Sequence, residues 1–172
     1  MRQKLFLIAF IGVVGSGKTY IASILARKLK ALHIRTDSIR IFLRKKGKTY
    51  SSAPQLAKAL AKSAFSKNRS VVFDFDAVNP KRQLELRQFA KKFGAKIFFI
   101  RVNTTEKIII KRLREHRYTK NDFFKNAKEA VGVYFLRKKL HSRKLRRAHD
   151  FVINNAHPLE PQINKIVKRL RD

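Results

Sequence analysis

The chain has 172 residues, 42 of them Lys or Arg against 11 Asp or Glu, for a formal net charge of +31, and 44% of its residues are hydrophobic. That apolar share supplies a core and excludes a disordered polycation, and a chain of this length reads as one domain over residues 1–172. The absence of cysteine excludes disulfides, thiolate metal sites and a cysteine nucleophile.

Leu5 to Ile11 is a continuous apolar run and reads as a buried strand. The basic start before it has the look of a leader, but the run passes into Gly15–Thr19 without a small-residue cleavage site. No other segment approaches the roughly 20 apolar residues of a membrane span, so a soluble, cytoplasmic protein is expected, with no membrane partner. A glycine-rich turn follows, then a helix with Ile21, Ile24, Leu25 and Leu29 on one face. Leu32–Thr36, Ser70–Phe75 and Lys96–Val102 read as further strands, rich in Val, Ile or Phe. Between them Ala53–Phe65 has helical periodicity, and Pro80 suits the first position of a helix over Lys81–Phe93 that Gly94 ends. Thr104 is expected to cap a helix reaching about Arg117, Phe151–Ile153 to form a fifth strand, and Pro158–Leu170 to close the chain as an amphipathic helix. Alternating strands and helices imply an α/β fold, with a parallel sheet covered on both faces.

The strongest motif is Gly12-Val-Val-Gly15-Ser16-Gly17-Lys18-Thr19, a full match to G-x-x-x-x-G-K-S/T between a strand and a helix. Such a loop curls so that backbone N–H groups point at phosphate oxygens, at a helix N-terminus whose dipole favours negative charge. Lys18 is expected to reach the β- and γ-phosphates of ATP, and the Thr19 hydroxyl to ligate Mg²⁺.

With these residues the sequence resembles the small P-loop kinases related to polynucleotide kinase and zeta toxin, from Leu5 to about Arg117 and more weakly beyond. Asp37-Ser-Ile-Arg40 after the second strand, and Asp74 with Asn79, Pro80 and Arg82 around the end of the third, carry the resemblance. It implies a three-layer P-loop NTPase fold with strand order 2-3-1-4-5 and a helical basic lid over about residues 118–147. It also implies that Asp37 is the base for an acceptor hydroxyl, that Arg40 binds the acceptor, and that Asp74 holds Mg²⁺. An arginine pair near the lid, Arg112 with Arg117 or Arg114, is implied to clamp the transferred phosphate. A cap of the next helix is the lesser reading of Asp37 and compatible with the first, and Asp76 departs from the neutral residue usual at its position, suiting a polar substrate group or the metal shell, with a solvated loop role as its plain reading.

The lid segment places Phe123, Ala127, Ala130, Val131, Tyr134 and Phe135 at helical spacing, and Arg137–Arg147 contains seven basic residues in eleven. Core packing is expected of the aromatics, whereas the cations suit either solvent or a polyanion. Tyr118–Lys125 is the segment expected to move most. The basic surplus is spread evenly: residues 1–86 carry 18 basic and 4 acidic side chains, residues 87–172 carry 24 and 7. The five histidines, His33, His116, His141, His149 and His157, show no metal-ligand spacing and receive no role. Three functions compete: an ATP-dependent kinase for a nucleic-acid 5′-hydroxyl, ranked first; a kinase for a small nucleotide, nucleoside or nucleotide-sugar acceptor; and a nucleotide-gated RNA-binding ATPase.

Overall fold

The computed structural model describes residues 4–144 and 149–171. Five parallel strands, β1 (Phe6–Ile11), β2 (Leu32–Arg35), β3 (Val71–Asp76), β4 (Lys96–Asn103) and β5 (Phe151–Asn154), form one sheet in the order β2-β3-β1-β4-β5. This is the expected order. Seven helices join and cover them: α1 (Lys18–Lys28), α2 (Thr36–Lys45), α3 (Ala53–Ser66), α4 (Pro80–Lys92), α5 (Glu106–Glu115), α6 (Ala127–Lys144) and α7 (Leu159–Arg171).

Alternation along β1 divides the core. Phe6, Ile8 and Phe10 join Ile21 and Leu25 of α1 and Ile163 and Ile166 of α7 on one face. Leu7, Ala9 and Ile11 join Ala57 and Ala61 of α3 and Leu86 of α4 on the other. Side chains of period two on a strand buried from both sides leave no polar position, which is why Leu5–Ile11 is apolar throughout. A smaller cluster, Ile109, Leu113, Ala130 and Tyr134, seats α6 on α5.

Local chemistry sets the boundaries. Asn79 caps α4 by accepting from Lys81 N at 3.0 Å, with Pro80 in the first turn as expected. Thr104 does not cap α5; its hydroxyl donates to Ser16 O at 2.9 Å, and Thr105 occupies the cap position. Asp37 is not a cap either, since Arg35 holds that place and Asp37 lies in the first turn of α2. β3 is irregular: Ala9 pairs with Phe73 but Phe10 pairs with Asp76, so the intervening residues of β3 bulge. No helix among the described residues is long and apolar enough to cross a membrane.

Candidate active site

The β1–α1 loop builds the phosphate cradle at the carboxyl end of the central strand, where open parallel sheets bind ligands. Gly15 and Gly17 have φ of 77° and 93°, values that side chains with a Cβ rarely adopt. Space is equally restrictive at Gly17: a Cβ would stand 2.1 Å from Asn155 Nδ2, and 3.4 Å from an Arg112 guanidinium nitrogen. Asn155 Nδ2 and Thr104 Oγ1 both donate to Ser16 O, at 2.7 and 2.9 Å, so β4 and β5 brace the loop from outside. Lys18 Nζ donates to Gly12 O and Val13 O, each at 2.8 Å. Burial pulls the Lys18 ammonium below the usual lysine range, and the carboxylates of Asp76, Asp74 and Asp37, in decreasing order, oppose that shift. Thr19 is exposed on the first turn of α1.

The bulge in β3 gives its two aspartates different partners. Asp74 stays in register with Arg35 of β2, and its carboxylate is 3.6 Å from His33 Nε2 and 4.0 Å from Arg35 Nε. Asp76 instead reaches the phosphate loop: Oδ1 accepts from Gly12 N at 3.3 Å and Oδ2 from His141 Nε2 of α6 at 2.7 Å, with Arg137 at 3.9 Å. Burial pushes the Asp76 carboxyl up, but the His141 hydrogen bond and the Lys18 charge outweigh it and hold the group below the usual carboxylate range. Asp76 is therefore not a solvated loop residue, and His141, given no role from sequence, is one of its ligands. The signal available in the sequence was Asp74-Phe-Asp76, two carboxylates closing a buried strand, which demand partners.

Asp37 is about half exposed on α2, and Arg40 donates to its Oδ1 at 3.0 Å. Beside them lies a cavity of about 60 Å³ between α2, α3, β3 and α4, lined in part by Thr36, Arg40, Phe73, Phe75 and Arg82. Arg82 of α4 and Arg40 of α2 both line this pocket.

Arg112 and Arg114 lie on α5 and Arg117 just past it, all exposed; of these, Arg112 stands next to Gly17. The segment expected to be most mobile is tied to α2: the Arg44 guanidinium donates to Asp122 O at 2.9 Å, Phe123 O at 3.2 Å and Lys120 O at 3.3 Å. His116 and Thr119 close that turn on Asp122. Of the lid aromatics, Tyr134 is buried and Phe135 half exposed, so core packing holds for the first and fails for the second. Tyr134 and Lys138 both bind Glu106, fixing α6 to the start of α5. From the basic run, residues 145–147 lie outside the described residues.

Among the described residues no three His, Asp or Glu side chains cluster as a metal site. Mg²⁺ needs no such cage, because it takes one or two carboxylates or hydroxyls and fills its shell with phosphate and water. The hard oxygen donors near Lys18 fit that ion.

Comparison with known proteins agrees with this geometry. The family described as AAA domain matches residues 7–137. No curated protein matches the sequence. Among solved structures, the chain is similar to the Mycobacterium tuberculosis APS kinase in complex with AMPPNP and APS, at 13% identity and TM-score 0.67, covering 98% of this chain and 99% of that one. A putative kinase from Chloroflexus aurantiacus has 15% identity, TM-score 0.69 and 98% coverage of both chains. A gluconokinase from Sinorhizobium meliloti has 15% identity and TM-score 0.59, with 99% and 93% covered. At these identities the likeness is one of fold.

Proposed function

The chain belongs to the AAA domain family, and from that premise we propose that it transfers the γ-phosphate of ATP to a hydroxyl of a small molecule. The observation that carries the reading is the half-buried Lys18 in its glycine loop, with Asp37 near enough to act on its charge and a small pocket lined by Arg40, the partner of Asp37. Backbone N–H groups of Gly12–Thr19 bind the phosphates, and Lys18 leaves the loop carbonyls for the β- and γ-oxygens. The Thr19 hydroxyl and the Asp74 carboxylate would hold Mg²⁺, which when bound would neutralise charge on those oxygens. Asp37 accepts the proton of the acceptor hydroxyl as its oxygen forms a bond to Pγ. The bond from Pγ to the β,γ-bridging oxygen breaks, and ADP leaves with the electron pair. Arg40 orients the acceptor, and Arg112, with Arg114 or Arg117, meets the charge developing on the phosphoryl group.

A small acceptor is favoured over the nucleic-acid 5′-hydroxyl ranked first from sequence. The space next to Asp37 is a compact pocket rather than a groove, and the similar structures with named substrates include kinases of APS and gluconate. Even spreading of the positive charge likewise marks no single track for a strand.

The test is γ-labelled ATP with Mg²⁺ and a panel of small hydroxy compounds beside oligonucleotides bearing a 5′-hydroxyl. Label is expected on a small acceptor. It should vanish in Lys18→Ala, and Asp37→Asn should lose transfer at least 100-fold while still binding ATP. Label on the oligonucleotide alone would restore the nucleic-acid reading, and free phosphate alone would favour a nucleotide-gated ATPase.

A further inference from the structure

The pocket beside α2 has a chemistry of its own. Its walls are apolar where β3 and the helices meet: Phe73 is buried, Phe75 packs edge-on against it at 5.6 Å, and Leu86 closes the side. Cations stand at the mouth. The Arg82 guanidinium lies over the Phe75 ring, 5.3 Å from its centroid. Arg40 stands across from it on α2.

One polar group is left over inside. Thr36 is 93% buried, lines the pocket, and its hydroxyl oxygen has no hydrogen-bond partner. An orphaned buried hydroxyl costs stability unless something fills it. The carboxylate among the pocket's lining residues, Glu85, is engaged 3.7 Å from Lys58, which leaves Asp37 of α2 for the one hydroxyl that reacts. A polyhydroxylated chain would bring more donors than this pocket has free acceptors and would press them on aromatic carbon.

We infer that the acceptor has a compact apolar body, a single anionic group and two hydroxyls. The anion meets Arg82, the body packs on Phe73 and Leu86, and one hydroxyl meets Thr36 while the reacting one faces Asp37. This deepens the proposed kinase reading and rests on it for the step of transfer, but the pocket's preference can be read by binding alone.

Three probes separate the features: 4-(hydroxymethyl)benzoate carries ring, carboxylate and alcohol; benzyl alcohol lacks the anion; gluconate keeps the anion but is a polyol. Binding is measured by titration calorimetry on the full chain with a non-hydrolysable ATP analogue and Mg²⁺ present, and ADP release is measured separately with ATP. The benzoate is expected to bind at least tenfold tighter than either other probe. Arg82→Gln should weaken the benzoate about tenfold and leave benzyl alcohol unchanged, a split that a misfolded variant would not give. A probe with a second hydroxyl, 3-hydroxy-4-(hydroxymethyl)benzoate, should bind severalfold tighter than the benzoate and lose that advantage in Thr36→Val, which keeps the shape, removes the orphaned hydroxyl and should melt no lower than wild type. Gluconate binding as tightly as the benzoate, or equal loss of both aromatic probes in Arg82→Gln, would overturn the inference whether or not ADP is released. Binding in the expected order without ADP from any hydroxy compound would uphold the pocket's preference and defeat the kinase reading instead.

Discussion

Replacing His141 by Ala tests whether the lid helix is fastened to the phosphate loop through Asp76. Both side chains are more than nine-tenths buried, and Nε2 to Oδ2 is 2.7 Å. Among the described residues, Oδ2 without the imidazole keeps Arg137 at 3.9 Å, while Oδ1 retains Gly12 N at 3.3 Å. Losing a hydrogen bond to a charged group costs about 1.5–3 kcal/mol, and stripping a buried pair of one partner about 3–5 kcal/mol. The remaining Gly12 contact and the Lys18 charge favour the lower part of that span, about 2–3 kcal/mol. For a chain of this size that is a fall in Tm of roughly 4–12 °C. Urea unfolding of wild type, His141→Ala, Asp76→Asn and the double variant gives the coupling energy directly. His141→Gln, which keeps a side-chain N–H donor, should recover part of the loss. Coupling below about 0.5 kcal/mol would refute the fastening, and so would a glutamine variant no better than alanine.

Gly17→Ala should abolish nucleotide binding in an equilibrium titration, because strain at φ 93° adds to a Cβ only 2.1 Å from Asn155 Nδ2. Gly47→Ala is the control, with φ 64° and nothing within 4 Å of its Cβ: it should cost about 1–2 kcal/mol of stability and leave binding intact. Arg44→Ala removes the donor to three lid carbonyls, and limited proteolysis between residues 118 and 126 should speed up severalfold while the melting curve barely moves. Burial and the Glu106 hydrogen bond push the Tyr134 phenol up to about 12, so ultraviolet titration should show Tyr134 lagging, with Tyr118 also raised by its burial, and Glu106→Gln should bring Tyr134 down. Because the folded value lies above the ordinary one near 10, that stabilisation is whole below about pH 10 and is lost as pH rises towards 12.

The sheet was legible because its strands are short, all but β2 are mainly apolar, and most are followed by a helix of clear period. Boundaries moved by a residue or two, as at β2, which ends at Arg35 rather than Thr36. Strand order came from the resemblance, since periodicity carries no information about which strands are neighbours. Helix α2 was not delimited from sequence: its first turn holds Thr36, Asp37 and Ser38, polar residues that favour caps and turns as much as helix interiors. The motif residues were legible for a different reason. Gly15, Gly17 and Lys18 have backbone and charge requirements satisfied within eight consecutive positions, so the local sequence is the whole site.

Residues that act across the fold were beyond that reach. Asp76 and His141 are 65 positions apart, and nothing in either neighbourhood announces the other. What joins them is the irregular pairing after Ala9 and Phe73, which carries β3 past Asp74 and sets Asp76 opposite Phe10. A regular ladder would put Asp74 opposite Phe10 and leave Asp76 beyond the strand, which is the loop role the sequence suggests. The bulge therefore decides which carboxylate faces Gly12 and which stays beside β2, a division that neither residue's neighbours in the sequence announce. The even spread of cations has the same consequence for Arg137: one arginine among 42 basic residues is anonymous until the fold sets it 3.9 Å from a buried carboxylate.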